Sequence, residues 1–144
     1  MKTRYDQDFH AWTLENANLL RNGQVNEIDI LHIAEELESM GARERREVLN
    51  RLQVLIMHLL KHQYQPARRS KSWLLTIIHQ RTALERLLQQ SPSLKTLLNQ
   101  ENLQAVYRKA VKEAIIETDL ESHWFPLDCP YQFEQLLNDE YFPE

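Results

Sequence analysis

The sequence is poor in the residues that several fold classes need. Its 144 residues include one cysteine, Cys129, and two glycines. A single cysteine excludes an intramolecular disulfide and a zinc cluster built from cysteines, and it fits a reducing compartment. Two glycines are too few for the many tight turns of a sheet protein. The composition therefore favours an all-α fold.

Long apolar runs and an excess of positive charge are also missing. No stretch of about 18 apolar residues occurs, and the start MKTRYDQDFHAW has no apolar run of the length of a secretory signal. The formal net charge of −4 gives no global attraction to nucleic acid or to anionic lipid. We therefore expect a cytoplasmic protein with no membrane partner, for which a nucleic-acid partner is not favoured.

Helical periodicity is present along most of the chain. Charged residues make up 26% and hydrophobic residues 42%, which suits a folded globular protein. We predict an all-α, single-domain, compact helical bundle of about five to seven helices over residues 1–144. The helices are expected over residues 6–21, 26–40, 42–64, 70–90, 92–98, 100–118 and 131–138.

Punctuating residues set the expected ends of these helices. Gly23 and Gly41 follow the first two helices, where a left-handed residue can end a helix. Pro66 ends the third helix because its ring clashes with the preceding turn and removes a donor. Ser70 and Asp128 are the expected caps of the fourth and the last helix.

Seven stretches that together cover most of the chain occur in this order: DFHAWTLENANLLRNG, DILHIAEELESMG, RLQVLIMHLLKHQYQP, SWLLTIIHQRTALERLL, SPSL, CPYQFEQLL and YFPE. In these stretches the sequence resembles the bacterial domain of unknown function 29 family. The resemblance implies a compact helical fold and a bacterial, mainly cyanobacterial, source, and it implies no particular reaction. It singles out a set of polar positions without giving them a role: Glu35, Glu36, His58, Lys61, Gln80 and Arg81.

Charged residues among apolar ones predict a polar site or an internal ion pair. Glu36 borders the apolar stripe of the second helix, which contains Ile30, Ile33, Leu37 and Met40. Arg81 falls among apolar residues of the fourth helix, where a guanidinium is costly to bury unless a carboxylate or carbonyl groups receive it. The simplest expectation is that Glu35 or Glu36 pairs with Arg81 and holds two helices in register.

His58 and His62 stand one helical turn apart, which is the spacing that can aim two imidazoles at one metal ion. The glutamate of an H-E-x-x-H motif is absent, and Lys61 on the same face would repel a cation. We expect no metal and no cofactor, and we keep these two histidines as candidate ligands. The favoured interpretation of His58 is a hydrogen-bonded histidine at the edge of the core.

The middle of the chain carries a basic patch of Lys61, Arg68, Arg69 and Lys71. A basic patch with neighbouring aromatic residues can bind a nucleic-acid backbone and stack on its bases. Acidic residues are interleaved with the arginines just before it, and such mixing is typical of a solvated helix face. A solvated surface is therefore the favoured interpretation of the patch.

Three functions stay open from the sequence. The first is a non-catalytic interaction or regulatory module that self-associates or docks a protein partner, supported by the aromatic tail with Tyr141 and Phe142, which needs a surface to cover. The second is a small metal-dependent or acid–base enzyme, with Glu35, Glu36, His58 and Arg81 around a cleft between the second, third and fourth helices. The third is a nucleic-acid accessory protein that uses the basic patch.

Overall fold

The computed structural model describes residues 4–144, and this part of the chain is helical without a β-strand. The fold-class prediction is therefore confirmed. The start MKTRYDQDFHAW is predicted to contain no secretory signal, and the first three residues of that stretch lie outside the described residues. The α-helices are α1 (Phe9–Arg21), α2 (Ile30–Tyr64), α3 (Lys71–Gln90), α4 (Gln100–Thr118) and α5 (Phe133–Leu136), with short 3-10 helices at Pro66–Arg68, Pro92–Leu97 and Ser122–Trp124.

The chain divides into two compact units. The first unit ends at Arg43, and the second unit is Glu44–Glu144. The prediction of a single domain over residues 1–144 stays a prediction. Over residues 4–144, none of the helices is both long and apolar enough to cross a bilayer.

The main departure from the predicted helices is at Gly41. The structure has one helix, Ile30–Tyr64, where the sequence predicted two helices separated by this glycine. Gly23 has the left-handed φ of 71° that a helix-ending glycine adopts, whereas Gly41 does not have a positive φ. A glycine inside a helix costs only about 1 kcal/mol relative to alanine, so good helix formers on both sides carry the helix through it.

Several predicted helix ends are confirmed, and one predicted cap is wrong. Helix α2 ends at Tyr64 before Pro66, and the Ser70 hydroxyl accepts a hydrogen bond from the Trp73 amide at 3.2 Å. The last helix is shorter than predicted and is capped by Gln132 rather than Asp128. At the other end of the chain, Asp8 caps α1, which therefore begins later than expected.

The core of the second unit is built on α2, whose apolar residues there cover more than one face. This is the arrangement expected for a helix that is apolar around most of its circumference. The fully buried side chains include Val48, Leu52, Leu55, Ile56, Leu59, Leu60, Ile77, Leu84, Ala110, Ala114 and Leu136.

Part of the predicted apolar surface faces solvent instead. Ile30, Leu37 and Met40, from the stripe at the start of α2, are 63%, 62% and 57% exposed. On α3, the apolar residues Leu74 and Ile78 are also exposed. Periodicity identifies an apolar helix face but not whether another part of the same chain covers it.

The aromatic tail packs on the second unit. The Tyr141 ring lies 6.3 Å from the Tyr131 ring, centroid to centroid, and the Phe142 ring lies 5.4 Å from the His62 ring. The Arg81 guanidinium lies 5.3 Å from the centroid of the Phe142 ring. The tail therefore finds the surface it needs on the chain itself.

Candidate functional site

The four residues predicted for a catalytic site fall in different units. Glu35 and Glu36 belong to the first unit, and His58 and Arg81 belong to the second. Glu35 is exposed, whereas the half-buried Glu36 carboxylate accepts a hydrogen bond from the Tyr5 hydroxyl. This hydrogen bond is the main reason why the pKa of Tyr5 rises to about 12.

Arg81 is buried at 2% exposure and is received by main-chain carbonyls. Its Nε donates to the Leu136 carbonyl at 2.8 Å, and its Nη2 donates to the Gln135 carbonyl at 3.2 Å. Its Nη1 is buried without a hydrogen-bond partner among the described residues, and burial lowers the pKa of the guanidinium. This corrects the expectation that Glu35 or Glu36 receives Arg81. The arginine holds α5 against α3.

His58 and His62, which have the spacing of metal ligands, form hydrogen bonds with main-chain carbonyls. The His58 Nδ1–H donates to the Val54 carbonyl at 2.9 Å, and the His62 Nδ1–H donates to the Pro143 carbonyl at 3.2 Å. Burial is the main cause that lowers the pKa of both imidazoles. Among residues 4–144, no group of three or more His, Cys, Asp or Glu side chains could hold a metal ion.

The structure differs from the predicted basic patch at Lys61. This lysine is buried, its Nζ donates to the Glu117 carboxylate, and the same atom lies 4.7 Å from the centroid of the Trp73 ring. Arg68, Arg69 and Lys71 are exposed as expected. Lys61 therefore does not belong to the exposed basic surface.

A polar site that the sequence analysis missed lies in the first unit. Asp29 directly precedes α2 and accepts two side-chain hydrogen bonds on one carboxylate oxygen. The His32 Nδ1–H donates to Asp29 Oδ2 at 2.7 Å, and the Trp12 indole Nε1–H donates to the same oxygen at 3.0 Å. The hydrogen bond from His32 is the largest cause of a lowered pKa at Asp29.

Further contacts fix the two residues in place. The main-chain amide of Asp29 donates to the Asn16 side-chain oxygen at 2.8 Å, and the buried Asn16 amide group donates to the Trp12 carbonyl at 3.0 Å. The Tyr5 ring stacks on the His32 ring with centroids 4.2 Å apart and planes 12° apart. The orientation of the imidazole is therefore set by a carboxylate and by an aromatic ring.

This polar site lines a cleft of about 570 Å³, which we call the first-unit cleft. Its wall comes from α1, from the start of α2 and from the segments that precede them, and it includes Tyr5, Trp12, Glu15, Asn16, Asp29 and His32. Because Asp29 occupies Nδ1 of His32, Nε2 is the ring nitrogen left for a ligand. An imidazole held in this way by a carboxylate is suited to accept and return a proton.

Two spacings in the sequence could have indicated this site. Asp29 and His32 stand three residues apart at the start of a helix, which is the spacing of a capping residue and a side chain in the first turn. Trp12 and Asn16 stand four residues apart, on one face of α1. The stacking of Tyr5 on His32 depends on tertiary structure and leaves no such pattern.

One comparison with known proteins identifies a family. Residues 4–142 match the family described as Domain of unknown function DUF29. No curated protein matches the chain, and no solved structure matches it. Since the match covers nearly the whole sequence, the chain belongs to the DUF29 family.

Proposed function

We propose that the chain is a non-catalytic interaction module that self-associates through the start of α2. The docking surface, which we call the apolar face, consists of Ile30, Ile33, Leu37 and Met40. The observation that carries the proposal is that three of these four side chains are more than half exposed. Monomeric proteins rarely expose a contiguous apolar patch of this kind, and such patches are typical of interaction sites.

Two further features support a second copy of this chain as the partner. The spacing of three, four and three residues along the apolar face is the spacing of a coiled-coil seam, which pairs well with an identical helix. A two-fold dimer then buries the same face of both copies against each other. Over residues 4–43 the first unit exposes eight large apolar side chains, whereas the much longer second unit exposes six.

Analytical ultracentrifugation of the full chain tests this proposal. We expect a dimer for the unchanged protein and a monomer for Leu37→Glu and for Leu37→Glu with Met40→Glu, with unchanged helical circular dichroism. Ile116→Glu is the matched control, because Ile116 is 77% exposed on α4 and is outside the apolar face. A monomeric unchanged protein, or a dimer that survives both substitutions, would contradict the proposal.

Acid–base catalysis is a second candidate function, now with its site in the first-unit cleft. The specific observation that favours it is the 2.7 Å contact between Asp29 and His32 in the wall of that cleft. His32 Nε2 would take a proton from a water or hydroxyl group, and the Asp29 carboxylate would stabilise the imidazolium that forms. Among the predicted catalytic residues, Glu36 contributes to this site indirectly, through its hydrogen bond with Tyr5.

Hydrolysis of p-nitrophenyl acetate tests the second candidate, because this ester reports an accessible, activated imidazole. We expect His32→Gln to lower the rate by about tenfold or more, and Asp29→Asn to lower it by a smaller factor. His10→Gln is the control, since His10 is an exposed histidine of the same unit. If His32→Gln hydrolyses the ester at the unchanged rate, acid–base catalysis at this site is ruled out.

The remaining parts of the proposal concern location and other partners. We place the protein in the cytoplasm of a bacterium, because its single cysteine cannot form an intramolecular disulfide and fits a reducing compartment. Nucleic acid is the least favoured partner. With Lys61 buried, three exposed cations remain in the patch, on a chain whose net charge is −4.

A further inference from the structure

The second unit contains a cleft that neither proposed function uses. It lies between α4 and the segment of residues 122–127, has a volume of about 470 Å³, and is called here the α4 cleft. Tyr107 and Phe125, both buried, and the half-buried Val111 line it. The Tyr107 hydroxyl donates to the Pro126 carbonyl at 2.6 Å, which fastens the segment to α4. The cleft therefore has an apolar lining held in place by a hydrogen bond.

Cationic side chains stand around this apolar lining. The cations Arg108 and Lys112 line the α4 cleft beside His123, whose Nδ1 lies 3.2 Å from the Glu121 carboxylate, and no carboxylate is among the lining residues. Arg108 and Lys112 are exposed, and neither forms an ion pair within residues 4–144. In a chain whose net charge is −4, this is a local reversal of sign. Such a reversal beside an apolar surface favours a ligand that carries negative charge at one end.

We propose that the α4 cleft binds one amphipathic anion, an acyl chain with a carboxylate headgroup. The acyl chain lies against Val111 and Phe125, where apolar surface is available for burial. The carboxylate lies between Arg108 and Lys112, which are one helical turn apart on the same face of α4. The volume of the cleft falls within the usual range of about 300–1,000 Å³ for small-molecule sites.

The exposed residues of the segment add to the apolar surface at this site. Leu127 lines the cleft and is 90% exposed, and Trp124, next to His123, is more than half exposed. A bilayer surface could also attract exposed apolar residues beside cations. The concave shape favours a single inserted chain, and the experiment below separates the two sources of the same chemistry.

Isothermal titration calorimetry of the full chain with sodium decanoate, below its micelle concentration, tests the proposal. We expect saturable binding of decanoate that weakens as salt is added, because the contact with exposed cations is screened. Decyltrimethylammonium has the same chain with a positive headgroup, and acetate has the carboxylate without the chain. We expect both to bind at least tenfold more weakly than decanoate, because the first replaces attraction to the two cations by repulsion and the second gives up the burial of the chain.

Substitution of the two cations tests the same site independently. The double variant Arg108→Gln with Lys112→Gln is expected to bind decanoate about tenfold more weakly and to lose most of the salt dependence. Both residues are exposed, so the fold should survive, and circular dichroism checks this. Lys109→Gln is the matched control, because Lys109 is exposed on α4 and does not line the cleft.

Three results would overturn the proposal. Equal affinity for decanoate and decyltrimethylammonium would show that the cations do not select the headgroup. An unchanged affinity in the double variant would place the ligand elsewhere. Sedimentation with phosphatidylglycerol vesicles, without binding of monomeric decanoate, would replace the single-chain site with a membrane-surface contact.

Discussion

Each unit contains a basic side chain that donates to a carboxylate, and the two pairs differ in how far they are exposed to solvent. In the first unit, the His32 imidazole donates to the Asp29 carboxylate, and the two side chains are 42% and 35% exposed in the wall of a cleft. In the second unit, Lys61 donates to Glu117, and the lysine side chain is only 9% exposed. Trp73 covers the ammonium group of this lysine.

The difference in exposure separates a pair that can meet a ligand from a pair that holds helices together. Lys61 and Glu117 join α2 to α4, and the lysine has little surface left for another molecule. Arg81 also holds helices together, since its guanidinium donates hydrogen bonds to main-chain carbonyls of α5. In the Asp29–His32 pair, the Nε2 atom of His32 has no hydrogen-bond partner among residues 4–144, so this is the pair that can accept a ligand.

The largest expected effect is at Arg81, whose loss should destabilise the second unit. Arg81→Met keeps most of the side-chain volume but leaves the carbonyls of Leu136 and Gln135 without their donor. We expect the free energy of unfolding to fall by about 3 kcal/mol in urea denaturation. Arg86→Met, at an exposed position of the same helix, is the control and should change it by less than about 0.5 kcal/mol. A loss at Arg81 no larger than the control's would break the comparison.

Removal of the partner of Lys61 should have the next largest effect. Glu117→Ala leaves the buried ammonium group with the Trp73 ring and no carboxylate. Because Glu117 is itself about half exposed and water can reach the site, we expect a loss of about 2 kcal/mol rather than the larger cost of a fully buried pair. Glu85→Ala on α3 is the exposed control. Equal unfolding curves for the two variants would show that Lys61 does not depend on its partner.

The two units should also respond to acid in different pH ranges. The pKa of His58 is lowered mainly by burial, so the unfolded chain binds its proton more readily and stability is lost as the pH falls below the ordinary value of 6.5. The pKa of Asp29 is lowered mainly by its hydrogen bond from His32, so its contribution is present above 3.8 and is lost as the pH falls further.

Urea denaturation at a series of pH values measures both effects. We expect His58→Gln to flatten the decline of stability just below pH 6.5 and Asp29→Asn to flatten it below pH 3.8. His62→Gln should act in the same direction as His58→Gln, because burial also lowers its pKa. A variant whose stability runs parallel to that of the unchanged protein in the assigned range would show that its group does not titrate in the way described.

Local signals predicted most of the helices. The spacing of apolar residues, the proline after α2 and the serine cap of α3 all act within one or two turns, so they can be read from the sequence. Gly41 could not be assigned in this way. Its cost inside a helix is small enough that the flanking residues decide the outcome, whereas Gly23 ends a helix because the chain turns there.

The partners of the polar residues could not be predicted from spacing. Arg81 forms hydrogen bonds with residues more than fifty positions later, and Tyr5 forms one with a residue 31 positions later. Such contacts depend on how elements pack, and single-sequence periodicity carries no information about them. The histidines chosen for their spacing, His58 and His62, are bonded to carbonyls, while His32 was found only from the fold.

The smallest expected effect is a change of ionisation at Tyr5, which tests the first-unit site without removing the Asp29–His32 pair. The Glu36 carboxylate accepts the hydrogen bond of the Tyr5 hydroxyl, and ionisation of the phenol would break that bond and set two negative charges together. We therefore expect the phenol to stay mostly protonated near pH 11 in the unchanged protein and to be more ionised there in Glu36→Gln, which removes the negative charge.

Carbon-13 NMR of labelled tyrosine, with Tyr5→Phe to assign the signal, measures this ionisation, and amide shift dispersion at the same pH checks that the chain stays folded. The matched variant is Glu35→Gln, because Glu35 is the exposed neighbour of Glu36 and raises the pKa of Tyr5 only as the last of four causes. If Glu35→Gln and Glu36→Gln lower the pKa of Tyr5 equally, the hydrogen bond to Glu36 is not what holds the Tyr5 ring against His32. If the pKa of Tyr5 falls in Glu36→Gln alone, then Glu36, which was singled out from the sequence, holds the ring that stacks on the His32 imidazole.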